Sequence, residues 1–395
     1  MDALTLRGGR VIDPAQGIDG PFDVSIEDGR IASLEPAGAR PPRSNERIED
    51  VSGLLVVPGL VDLHGHWYEG SPYGIDTRAN LRGGVATAVD AGTAGFSNFG
   101  EFRRHTIDPA PVRVLAFVHV AAGGLVTTVV GELEDARYAR PRETAEIIRE
   151  HGDVTVGVKV RLGTGACGVN VGAALDAALE AAELAGTPIM AHIAEGADVS
   201  AALARLRPGD VITHAFTASG PGILGEDGRL LPEAHEARRR GIAFDVGHGC
   251  GSFSWRTAAL ALAEGFGPDS ISTDLHRYSL ERPVVDLPTT MSRYLALGLS
   301  LAEVVAATTS KPAAILGRAD LGSLRPGGPG DVSVLRIDGT PVELADADGQ
   351  RRSVPTRLVP VLTVIGGTVH RAADVVIRLR AYLDADREVD CAVPI

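Results

Sequence analysis

The sequence predicts an α/β fold, a (β/α)8 TIM-type barrel carrying a small composite β-sandwich domain, and three observations point to it. Between about residues 57 and 318, apolar β-type runs alternate with alanine-rich helical stretches, the pattern of a parallel sheet covered by helices. Both ends of the chain read instead as short strands punctuated by Gly and Pro. A set of histidines and an aspartate falls at the carboxyl ends of the barrel runs, the face on which such barrels build their sites. The expected boundaries are 1–56 and 319–395 for the two parts of the β domain and 57–318 for the barrel.

The first part of the β domain is read from LTLRGGRVID, FDVSIEDGRIASLEP and LLVVPG, with turn chemistry at Pro14, Gly17, Gly20, Asp28 and Gly29. Eight barrel runs follow: GLVDLHGH (59–66), VATAVDAG (85–92), VRVLAFVHV (112–120), VTVGVKVRL (154–162), PIMAHIAE (188–195), VITHAF (211–216), IAFDVGHG (242–249) and SISTDLH (270–276). Helices are expected between them, for example at 174–186, 232–241 and 255–267. A doubly wound open sheet is the competing fold, but the first βα turn has no GxGxxG fingerprint. The strands ADLGSLRPGGPGDVSVLRID and RLVPVLTVIGGTVHR supply the second part of the β domain.

Composition sets limits on function. A chain of 395 residues that is 44% hydrophobic and 23% charged is that of a globular protein. A net charge of −13, without a basic cluster, argues against nucleic acid as a partner. The longest apolar stretches fall short of a spanning helix, and the N-terminus lacks a signal-peptide pattern, so neither membrane nor export is expected. Three scattered cysteines, Cys167, Cys250 and Cys391, suggest no disulfide framework and fit a reducing cytoplasm. A homo-oligomer is left open.

The chemistry lies at the strand ends. His64 and His66, two apart in a strand, share one face, and two neutral imidazoles there chelate a divalent ion; the small Gly65 between them leaves room at the mouth. His192, His214 and Asp274 end the fifth, sixth and eighth runs. The other histidines, His105, His119, His151, His235, His248 and His370, mostly read as surface residues. His248, in DVGHGCG, either lines the pocket or does not. Of 38 basic residues only Lys159 and Lys311 are lysines. Lys159 lies in a strand expected to be buried on both faces, where an unpaired ammonium is costly, so a reaction or ligation that arginine cannot perform is implied.

His64–x–His66, Lys159, His192, His214 and Asp274, in that strand order, resemble the amidohydrolase superfamily. VVPGLVDLHGH, GVKVRL, DVGHGCGSF and STDLHRYSLERPVVDLPTTMS are similar to its dihydroorotase-like amidohydrolase/deacetylase group. The likeness runs over nearly the whole chain. It implies two divalent ions, expected to be zinc, with His64, His66 and Asp274 on the buried ion and His192 and His214 on the outer one. It further implies a Lys159 carboxylated by CO2 that bridges them. Dihydroorotases usually read HxHxR; Tyr68 stands at that arginine's place, which argues against dihydroorotate.

Coordination to two ions brings the pKa of water down to about 7, with Asp274 as the proton carrier. The expected reaction is hydrolysis of an acyl amide or ester on a small carboxylated molecule such as an N-acyl amino acid. Cyclic amide opening of the hydantoinase or dihydroorotase kind and a non-catalytic scaffold are the alternatives. Arg161, two residues after Lys159, either forks a substrate carboxylate or neutralises a buried acid such as Asp90 or Asp245. Tyr68 and His276 are further substrate-side candidates, the latter equally a loop histidine.

Overall fold

A computed structural model describes residues 3–41, 46–217, 220 and 222–377; Cys391 lies outside them. The two ends of the chain meet in one eight-stranded mixed sheet. Its N-terminal members are Ala3–Asp13, Ile18–Glu27, Arg30–Pro36, Glu46–Asp50 and Leu55–Pro58; Val332–Asp338, Arg357–Ile365 and Thr368–Arg371 come from the far end. The seam is antiparallel, with Val334 opposite Val56 and Val332 opposite Pro58. A bulge between Leu6 and Gly9 bends the first strand. Its two halves then take different parallel neighbours, Glu46–Asp50 and Leu55–Pro58. Alternate residues from both ends, among them Leu6, Val11, Val24, Val56, Val332 and Val364, bury into a core belonging to this unit.

Two residues after Pro58 the chain enters the barrel. Leu60–Gly65, Val85–Gly95, Arg113–His119, Thr155–Leu162, Ile189–Ile193, Val211–Thr213 and Ala243–Phe244 pair in that order, all parallel. The period of two is visible in where side chains go. On the third strand Val114, Ala116 and Val118 face the helical layer, while Leu115 and Phe117 fill the barrel with Val89, Ala91, Met190 and Val211. On the fourth, Val158 and Val160 face the helices. Lys159 and Arg161 therefore share the opposite, inner face. The helices fall where the alanine-rich runs predict them, at Val171–Ala185, Pro232–Arg239 and Trp255–Ala263. Gly186 ends the first of these at φ +70°, a left-handed cap that glycine adopts without steric cost.

The eighth run departs from a regular strand yet closes the barrel. Ser270 bridges Asp245 on one side and Leu275 bridges Gly65 on the other, both in parallel sense. His248 N and Gly249 N donate to the carbonyls of Ser272 and Thr273, and Asp274 N donates to the His64 carbonyl at 2.7 Å. The cause of the irregularity is local. Asp62, buried in the first strand, accepts from both N and Oγ1 of Thr273, at 3.0 and 2.5 Å, and Asp274 adopts φ +47°. Pulled in this way, the segment exchanges ladder bonds for side-chain bonds. Among the described residues no helix is long and apolar enough to cross a membrane.

Candidate metal centre

Four histidine rings form a continuous arc at the carboxyl ends of the strands. Ring centroids lie 5.6 Å apart for His66 and His64, 5.0 Å for His64 and His214, and 4.2 Å for His214 and His192. Asp274 faces the arc: its Oδ1 is 3.1 Å from His66 Nε2 and 3.3 Å from His64 Nε2. These three residues form a compact, buried donor set for a cation. His214 and Asp274 hold φ of +63° and +47°, a region that non-glycine residues occupy only when their surroundings impose it. Gly249 is part of that surrounding, because a Cβ there would stand 2.3 Å from Asp274 Oδ2.

Hydrogen bonds fix which way each ring faces. His214 Nδ1 lies 2.7 Å from the Gly247 carbonyl, which only accepts, so Nδ1 carries the proton and Nε2 the lone pair. His64 Nδ1 and His66 Nδ1 each lie 2.7 Å from a threonine hydroxyl, of Thr213 and Thr93. His119 and His276 are the reverse: their Nδ1 atoms accept from the backbone N–H of Ala121 and Tyr278, so Nε2 is their donor. Burial keeps the rings neutral. It lowers His66 to about 3 and His214 to about 4, against the pull of Asp90 and Asp274 respectively, and holds His64 and His192 well below the usual range.

His64 Nε2 and His66 Nε2 thus converge on a carboxylate oxygen that accepts no hydrogen bond. Two imidazole nitrogens and a carboxylate oxygen gathered this closely are a donor set that fits a divalent metal ion. Lys159 is the neighbouring cation, with Nζ 3.5 Å from His64 Nε2 and 3.7 Å from Met190 Sδ. Burial lowers it to about 8, and Asp274 opposes that fall. Gly92, at φ +80°, makes room for this side chain, since a Cβ would approach Lys159 Cβ to 2.3 Å.

Beside the arc lies a second polar group that the sequence did not announce. Arg161 Nε is 3.6 Å from Glu132 Oε1, and His119 Nε2 is 3.3 Å from the same oxygen. Burial opposes ionisation of Glu132, yet Arg161 and His119 together hold it down at about 2. Tyr73 faces Arg161 and stands with its ring 6.0 Å from that of His66 and 5.9 Å from that of His276. A cavity lined by Arg161, His192, Thr164, Ala166 and Glu195 opens next to this group.

Several expectations change here. Arg161 pairs with Glu132 and not with Asp90 or Asp245; Asp90 accepts from Thr93 and Trp67, and Asp245 Oδ2 from Thr213 and Ser272. His119 is not a surface residue but wholly buried at the end of the third strand, where the strand-end rule applied to VRVLAFVHV would have found it. Tyr68 packs its ring on Phe102, 5.2 Å away, instead of joining the arc, because the chain leaves the extended path after His66. Gly65 makes room for the Trp67 indole, 2.3 Å from where its Cβ would be. His248 is buried and stacks on Phe253 at 5.0 Å with 13° between planes. His276 does stand beside His66, with ring centroids 6.2 Å apart.

A model of the amidohydrolase family matches residues 55–369. A deacetylase of Agrobacterium fabrum is 36% identical over 361 residues, covering 89% of this chain and 87% of that protein. Among solved structures, one described as an adenine deaminase is similar with a TM-score of 0.86 and 28% identity, covering 94% of this chain and 100% of that one. Another, described as a dihydroorotase, has a TM-score of 0.84 and 32% identity over 94% and 98% of the two chains.

Proposed function

The chain belongs to the amidohydrolase family and is a hydrolase of carbon–nitrogen bonds, and from that premise we propose that it removes the acyl group from a small carboxylated molecule, of the N-acyl amino acid kind, at a binuclear metal centre. The observation that carries the metal part is the convergence of His64 Nε2, His66 Nε2 and Asp274 Oδ1 at one buried place, with Asp274 Oδ1 accepting no hydrogen bond. In this reading those three would hold one ion, His192 and His214 a second, and a carboxylated Lys159 would serve both. An amine at that position would repel two cations, whereas a carbamate brings two oxygens and a negative charge. Bound zinc would polarise the scissile carbonyl and acidify the attacking water.

The rest of the work falls to side chains. Asp274 takes the proton of the attacking water and returns it to the leaving amine or alcohol. Arg161, held along its Nε edge by Glu132 and facing the cavity beside His192, receives the substrate carboxylate in a fork that lysine cannot reproduce. His276 offers an Nε2–H, and Tyr73 a hydroxyl, to the acyl side.

The deacetylase relatives support the acyl reading. The test is a screen of zinc-loaded protein against N-acyl L- and D-amino acids, acyl esters, hydantoins, dihydroorotate and adenine. Turnover confined to the N-acyl amino acids or their ester analogues is the expected result. Turnover of a ring amide or of adenine alone would replace it with cyclic amide opening or deamination.

A further inference from the structure

Two buried relays of the same construction stand behind the first histidine pair. In one, His66 Nδ1 is 2.7 Å from Thr93 Oγ1, which donates to Asp90 Oδ2 at 2.8 Å. In the other, His64 Nδ1 is 2.7 Å from Thr213 Oγ1, which donates to Asp245 Oδ2 at 2.8 Å. All six side chains are buried. The carboxylate does not reach the ring itself, since His64 Nδ1 and Asp245 Oδ2 are 3.7 Å apart, beyond a hydrogen bond. The hydroxyl fills that gap, and it has a single proton to give.

The direction of that proton follows from the acids. Asp90 accepts backbone N–H groups on both oxygens, from Trp67 on Oδ2 at 2.8 Å and from Thr93 on Oδ1 at 2.7 Å. Asp245 Oδ2 also accepts from Ser272 Oγ at 2.8 Å, and that hydroxyl itself takes the Gly247 N–H at 2.9 Å. Both carboxylates are therefore acceptors, and each threonine spends its proton on one. What remains for the histidine is a lone pair, which requires Nδ1–H and leaves Nε2 bare. The space is also guarded: a Cβ on Gly247 would stand 2.4 Å from Thr213 Oγ1.

We propose that Thr93 and Thr213 are positioning residues that set the tautomer and orientation of His66 and His64, so that both Nε2 atoms face the inner ion as ligands. The inference rests on the metal-centre reading above but adds what makes this pair of imidazoles ligands while His276, with its ring centroid 6.2 Å from that of His66, is a donor. Both relays end at one ion. Their loss is therefore felt in one zinc equivalent, and the histidines bound to the other are held differently, His214 by the Gly247 carbonyl.

Thr93→Val and Thr213→Val keep the shape of the side chain and remove the acceptor; Thr93→Ser and Thr213→Ser restore it. Two measurements on the full chain read the effect: zinc affinity by competition with a chromophoric chelator, and the tautomer of His64 and His66 from the ring ¹⁵N shifts of metal-free protein. The valine variants are expected to lose roughly 10- to 100-fold in affinity for one zinc equivalent, the scale for a group that orients a ligand. They should also shift the affected ring away from the Nδ1–H form, and serine should reverse both changes. Unchanged tautomers and affinity in the valine variants would overturn the proposal, as would an equal loss at both equivalents that serine does not rescue. A wild-type chain that takes up no zinc would count against the metal centre itself, while the spectra of the metal-free protein still decide the relays.

Discussion

Asp274 Oδ1 lies 3.1 Å from His66 Nε2 and accepts no hydrogen bond, although both residues are buried. Two acceptors in that relation are an unfavourable pair in the apo protein and a favourable one around a cation. Zinc should therefore stabilise the fold. At 100 times its dissociation constant a ligand contributes about 2.7 kcal/mol, which a thermal melt reads as a rise of several degrees over chelator-treated protein. Identical melting curves with zinc and with chelator would show that the cluster holds no ion.

Asp274→Asn retains a ligand oxygen but cannot carry a proton. Turnover is expected to fall about 10²- to 10⁴-fold with most of the zinc still bound, measured as kcat beside metal content. An unimpaired kcat would assign the proton transfer to another group.

Lys159→Ala removes the amine beside the arc, leaving a void under Gly92 and no bridge. Binuclear loading should be lost, and short carboxylic acids such as propionate should restore part of it by filling the void with a carboxylate. Full zinc content in the alanine variant without any added acid would refute the bridging role.

Arg161→Met tests substrate recognition. The variant should raise KM for an N-acyl amino acid while barely affecting the matching carboxamide, because only the charged substrate loses its fork. Equal losses on both would place Arg161 in the scaffold, as the partner of Glu132.

Glu132 links pH to stability. Arg161 and His119 hold it at about 2 against its ordinary 4.5, despite the opposing effect of burial. A carboxylate depressed in the folded state contributes stability that is present above pH 4.5 and lost as pH falls through 4.5 towards 2. The contribution is on the order of 3 kcal/mol. The difference in unfolding free energy between wild type and Glu132→Gln should shrink across that window; a difference independent of pH would mean that Glu132 is not held ionised by its neighbours.

The sequence by itself determined the barrel and the arc, for one physical reason: a strand's period of two and the barrel's strand-end geometry are both local rules. Given the eight runs, HxH at the first strand end, His192, His214 and Asp274 at later ones, and Lys159 with Arg161 on one face all follow from counting along the chain. The same rule extends to His119, which ends the third strand as the others end theirs. It stops at Tyr68, where two-residue spacing loses its meaning because the chain has left the extended conformation. Glu132 and Tyr73 sit in long connections with no period to betray them, and only closure of the barrel brings them to Arg161. The relays are likewise decided by the tertiary structure. Each joins side chains from separate strands, Thr93 and Asp90 of the second to His66 after the first, Thr213 of the sixth to His64 and to Asp245 beyond the seventh. A hydroxyl's direction of donation depends on which acid lies 2.8 Å behind it, a fact that no local pattern carries.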